Sequence, residues 1–120
     1  MQTFNSQIAT AKALNTSFKS AFVPLKNQYL FSITAIITGT PTGILSLEVS
    51  NDPETNTTQP LVVPLNWSQY SQSSVTVVAA GIGQWRVTDV SYNYVRVSYT
   101  DTSGGMSTAK LDLIVNGKGV

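Results

Sequence analysis

The chain has 120 residues, a mass of 12.9 kDa and a formal net charge of +1. Seven basic against six acidic residues give no field for gathering nucleic acid, and without His or Cys the common zinc, haem, disulfide and Cys–His nucleophile chemistries have no residues to use. Charged residues are only 11% of the chain where about 25% is usual, and 14 Ser and 15 Thr take their place. Hydrophobic residues reach 42% and recur throughout, which argues for a folded core rather than disorder. At this size roughly two-thirds of the unfolded surface can be buried, so residues 1–120 are read as one domain.

The opening, Met1 to Gln7, has neither a basic run nor an apolar core, so no signal peptide is expected. The three Asn-X-Ser/Thr patterns at Asn15, Asn56 and Asn66 are expected to be unmodified chance matches. From Ile8 to Leu14, Ala9, Ala11 and Ala13 alternate with Thr10 and Lys12, which points to an extended arm or edge strand over residues 1–14. Phe18, Ser20 and Phe22 continue the alternation as far as Pro24.

Tyr29 to Thr38 is rich in β-branched and aromatic residues and reads as a strand covered on much of both faces. Gly39 to Gly43 supplies a turn, and Ile44 to Ser50 returns with Leu45, Leu47 and Val49 on one side; the two strands are expected to form a hairpin. Asn51 to Pro60 is a polar loop, followed by a brief edge strand at Leu61 to Pro64 and by Trp67 and Tyr70 in a polar connection. Val75, Val77 and Ala79 alternate up to Gly81 and Gly83, read here as turn residues.

Tyr92 to Thr100 places Val95, Val97 and Tyr99 inward and Tyr94, Arg96 and Ser98 outward. A turn at Asp101 to Gly105 leads to Ser107–Asn116, expected to pair back with Ala109, Leu111, Leu113 and Val115 inward. The result is an all-β fold of seven or eight short strands: an antiparallel β-sandwich, jelly-roll-like, with an immunoglobulin-type Greek key as the alternative.

No residue pattern calls for catalysis, a cofactor or a metal. Asp52, Asp101 and Asp112 read as turn or surface carboxylates, and Asn51, Asp52, Glu54 and Asn56 lack the spacing of a recognised calcium loop. Aromatic residues are the better candidates for function. Trp67, Tyr70, Trp85, Tyr92 and Tyr94 could stack on sugar rings or anchor a protein contact, with Arg96 on the same strand face as the two later tyrosines. Of these, Trp85 is read as a core-filling side chain.

The run Leu47-Glu48-Val49-Ser50-Asn51-Asp52-Pro53 resembles an element of small virion proteins encoded by tailed bacteriophages and prophages. The resemblance continues through Asn66-Trp67-Ser68, Gly83-Gln84-Trp85, the stretch from Asp89 to Thr100, and Ser103-Gly104-Gly105, covering residues 28–117. It implies a non-enzymatic virion structural protein, located in the virion, that assembles by homo-oligomerisation on the capsid, neck or tail. The implied partners are further copies of the chain and other virion proteins, with no nucleic acid and no membrane. Strand parity adds Tyr92, Tyr94, Arg96 and the N-terminal segment as the expected homo-oligomer surface. The alternative is a carbohydrate-binding module, free or on a phage particle, that uses Trp67 and Tyr70 against a host-surface glycan.

Overall fold

The computed structural model describes residues 2–25, 28–52, 64–88 and 90–119. Among the described residues ten strands run in chain order: β1 (Gln2–Ala13), β2 (Phe18–Lys19), β3 (Val23–Pro24), β4 (Gln28–Thr38), β5 (Gly43–Ser50), β6 (Ser68–Gln69), β7 (Val75–Val77), β8 (Gly81–Thr88), β9 (Tyr94–Asp101) and β10 (Lys110–Gly119). They form two antiparallel sheets. The first has the order β1-β10-β4-β8; the second has β2-β9-β5-β6, with β3 also on β9 and β7 also on β5. The architecture is a jelly-roll-like β-sandwich. Its strand number exceeds seven or eight because the Phe18–Pro24 segment splits in two and β6 is a two-residue bridge.

Period-two alternation builds the core. Phe31, Ile33, Ala35 and Ile37 of β4 and Leu111, Leu113 and Val115 of β10 are buried from one sheet, and Leu45, Leu47 and Val49 of β5 with Val95, Val97 and Tyr99 of β9 from the other. Both inner faces are mainly aliphatic, with one aromatic each in Phe31 and Tyr99, and their burial is the dominant favourable term of the fold.

The strands expected to pair as hairpins do not. β4 and β5 lie in different sheets, as do β7 and β8, and β9 and β10. The connection between β4 and β5 crosses the sandwich: Gly39, at φ +84°, packs on Ala109, just ahead of β10 of the first sheet, while Gly43 packs against Tyr99 of the second. Pro41, buried between them, has no N–H to offer a hairpin ladder. Gly81 and Gly83 are strand residues of β8 rather than turn residues. The segment 53–63, including Glu54 and the edge strand expected at Leu61, lies outside the described residues, as does Asp89.

Carboxylates hold the local irregularities. Along β1 the register with β10 shifts twice, between Gln7 and Ala9 and between Ala9 and Lys12, and the Ala11 N–H donates to Asp112 Oδ1 at 2.6 Å. In the turn after β9, Asp101 Oδ1 accepts the Ser103 N–H at 2.9 Å and Oδ2 accepts the Gly105 N–H at 3.0 Å. The Ser103 hydroxyl and amide donors hold the Asp101 carboxyl below its ordinary pKa.

Candidate ligand-binding site

β5 and β9 pair so that Glu48 stands opposite Arg96, and Ser50 opposite Tyr94, on the outer face of the second sheet. Arg96 Nε donates to Glu48 Oε1 at 2.7 Å, and Lys19 Nζ donates to Glu48 Oε2 at 3.1 Å and to Ser98 Oγ at 2.8 Å. Burial alone would raise the Glu48 pKa, but hydrogen bonds and charge from Arg96 and Lys19 outweigh it and hold the carboxyl low. One carboxylate therefore serves two cations, and the cluster keeps a surplus positive charge. The Arg96 guanidinium lies over the Trp67 ring, 4.1 Å from its centroid, in a cation–π contact.

Trp67 is fixed a second way, since its indole Nε1–H donates to the Pro64 carbonyl at 3.1 Å. The loop that carries it is tied to the end of β5 by Asp52. Its Oδ2 accepts the backbone N–H groups of Leu65 at 2.6 Å and Asn66 at 3.0 Å, and its Oδ1 accepts Asn66 Nδ2 at 2.9 Å. These bonds, from the Asn66 side chain first, lower the Asp52 pKa. From the other side the Asn93 N–H donates to the Ser50 carbonyl, and Asn93 Nδ2 donates to the Asp52 carbonyl at 2.9 Å. Two loops distant in sequence are thereby locked against each other.

Between them lies a cavity of about 340 Å³, walled by Trp67 and Tyr92 and rimmed by Asn51, Asp52, Asn66 and Ser68. Tyr70 does not line it. It meets Tyr92 edge-on, with centroids 5.9 Å apart and rings at 88°, and so braces the Tyr92 wall from behind. Tyr70 is itself held by donating its N–H to the Leu47 carbonyl at 2.9 Å.

Four of the five aromatic and basic residues singled out from sequence thus converge: Trp67, Tyr70, Tyr92 and Arg96. Tyr94 does not join them. Only 3% of it is exposed, because Phe22 crosses it edge-on at 5.6 Å and β3 pairs alongside at Pro24. The strand face expected to be open is closed there by the chain's own early segment, which also buries Ser98. Trp85 is half-buried at the sheet margin and donates its Nε1–H to the Ser73 carbonyl at 2.9 Å. The bracing roles of Asn66 and Asn93 carry no signal in the sequence, where Asn66 reads as a chance glycosylation match and Asn93 as one Asn among several.

The described carboxylates of the site are fully engaged: Glu48 by two cations, and Asp52 by three donors. Among the described residues no three acidic side chains come together as a metal-binding group. What the cavity offers is an aromatic wall, amide and hydroxyl groups and a nearby positive charge, a set suited to recognition.

No protein-family model and no curated protein matches the chain. Among solved structures, the SPBc2 prophage-derived protein YomS superposes with a TM-score of 0.55 at 10% identity, over 98% of this chain and 95% of that one. Chitosan-binding module 1 of a chitosanase/glucanase from Paenibacillus sp. IK-5 gives 0.47 at 19% identity, over 93% and 92%. The coat protein of Tobacco streak virus gives 0.46 at 11%, over 98% and 88%. The likeness to the prophage-derived protein is one of fold, over nearly the whole of both chains, and leaves the site's chemistry to be argued from its own residues.

Proposed function

We propose that the chain is a non-enzymatic carbohydrate-binding module and that the Trp67–Tyr92 cavity is its sugar site. The observation that carries this reading is an indole held in place from two directions beside planar amides. An aromatic face receives the C–H side of a pyranose, while Asn side chains exchange hydrogen bonds with its hydroxyls. A site of about 340 Å³ lies within the range of small-ligand cavities and accommodates one or two sugar rings. Pre-fixing Trp67 through Arg96 and Pro64 removes ordering entropy that binding would otherwise cost. The test is a glycan screen on the purified chain followed by calorimetry on any responding sugar, with Trp67→Ala as the control. Binding lost in that variant supports the reading, and a screen without response overturns it.

A second reading is a bacteriophage virion protein that homo-oligomerises on the capsid, neck or tail. It is supported by the resemblance of residues 28–117 to small virion proteins and by the fold shared with a prophage-derived protein. The two are compatible, since a sugar site repeated by symmetry gains avidity without new contacts. The virion reading predicts a closed assembly larger than a dimer. A solution mass that never exceeds a dimer's counts against it.

A further inference from the structure

The sheet edges of this sandwich are not alike. On the first sheet, β1 is interrupted by two register shifts, turns through a positive φ at Ala11 and carries Lys12. On the second, the margins among the described residues are two or three residues long, at β2, β3, β6 and β7, and β3 ends in Pro24. Short strands, bulges, Lys and Pro are the devices that keep an edge from pairing with another chain. β8 has none of them. It runs eight residues, pairs with β4 without a register shift, and contains Arg86 as its one charge.

Beside β8, where the two sheets part, an apolar groove of about 390 Å³ opens toward Ala35, Ile37 and Leu45. Ile82 is 75% exposed, Val78 61% and Val75 46%, all at this margin. A Cβ placed on Gly81 or Gly83 would meet nothing within 4 Å, so the inner side of the first half of β8 is empty. The second half carries the bulky inner residues, Trp85 and Val87.

That asymmetry makes β8 complementary to itself. In an antiparallel pair, opposite residues share a face, so a two-fold axis at Gln84 sets Gly83 against Trp85 and Gly81 against Val87 of the other copy. Val87 is buried in its own core, but the half-buried Trp85 ring then stands beside a glycine position of the other copy, the arrangement by which a cross-strand aromatic covers a glycine. On the outer face the same register lays Ile82 against the aliphatic stem of Arg86 and brings the two Gln84 side chains together. We propose that β8 is a homodimer interface in which two copies pair antiparallel about Gln84, joining their first sheets into one eight-stranded sheet.

Light scattering on the full chain tests this together with cysteine placement, which is unambiguous because the chain has no cysteine. The expected result is a dimer whose dissociation constant rises about tenfold or more in Ile82→Lys, at an exposed position outside the core. Gln84→Cys should oxidise to a disulfide-linked dimer, since directly opposed strand residues fall within disulfide reach. Thr88→Cys lies on the same face, but its two copies would stand about 27 Å apart and should stay reduced. A monomer at all concentrations overturns the proposal. So does a dimer indifferent to Ile82→Lys, or one that cross-links through position 88 as readily as through 84. Should Ile82→Lys fail to fold, the two cysteine variants decide the matter alone.

Discussion

The Arg96 guanidinium lies 4.1 Å from the centroid of the Trp67 ring while its Nε is bonded to Glu48 at 2.7 Å. The ion pair thus sets the position of the cation, and the cation sets one face of the indole. Replacing Arg96 by Ala is expected to free the indole on that side and cost about 1 kcal/mol of stability, the scale of a partly exposed cation–π contact and ion pair. The measurements are tryptophan fluorescence and a thermal melt. An emission spectrum unchanged from the parent would show that Arg96 does not hold Trp67.

Acid should destabilise the protein in a defined window. Glu48, Asp52 and Asp101 all have folded pKa values below their ordinary ones, so the stability they contribute is complete above the ordinary carboxylate range and is lost as pH falls through the lowered values. Tyr99 is shifted upward by burial and by the Asp101 carboxylate, so its contribution is present below pH 10 and fades above it. With no His and no Cys, the melting temperature should be flat from about pH 6 to about pH 9 and should fall below about pH 4.5. Glu48→Gln should soften the acid slope. A transition centred near neutrality would contradict this assignment.

Tyr92 and Tyr94 are two residues apart, yet substitution should separate them cleanly. Tyr94→Ala removes a side chain only 3% exposed and should cost about 3 kcal/mol or more, visible as a lower melting temperature. Tyr92→Ala touches the cavity wall and should weaken ligand binding while costing less stability. Equal effects of the two on both readouts would count against the division.

Tyr99 ties together connections at one end of the sandwich. Its hydroxyl lies 3.1 Å from the Leu14 carbonyl and 3.2 Å from that of Thr42, and its ring leaves no room beyond Gly43. Tyr99→Phe should therefore cost about 1 kcal/mol or somewhat more, since a buried carbonyl loses its donor. Gly43→Ala would place a methyl 2.6 Å from the Thr100 carbonyl oxygen and should cost about 1–3 kcal/mol. Chemical denaturation measures both. A Gly43→Ala variant as stable as the parent would mean that the backbone yields there.

What was legible in the sequence follows the range of the interactions. Alternation in β5, β9 and β10 exposed their inner faces directly, because a strand's period of two is local. The aromatic and basic members of the site stood out by type, and Trp67 lies within reach of Arg96 only because β5, β6 and β9 are neighbours in one sheet. Which sheet a strand joins was not local. Gly39 to Gly43 carries ordinary turn signals, and only Ala109 and Tyr99, both remote in sequence, turn it into a crossing between sheets. Tyr94 stands on the outer face that its parity indicates, but its covering was not legible for the same reason, since Phe22 reaches it from a segment whose pairing with β9 no alternation pattern encodes.

The most direct measurement is isothermal titration of the unmodified chain and of Trp67→Ala with the best sugar from a glycan screen, both proteins first matched by circular dichroism. The sugar-site account predicts saturable one-site binding to the parent and at least tenfold weaker binding to the variant. Equal binding by the two, or a screen in which no sugar responds, would contradict it.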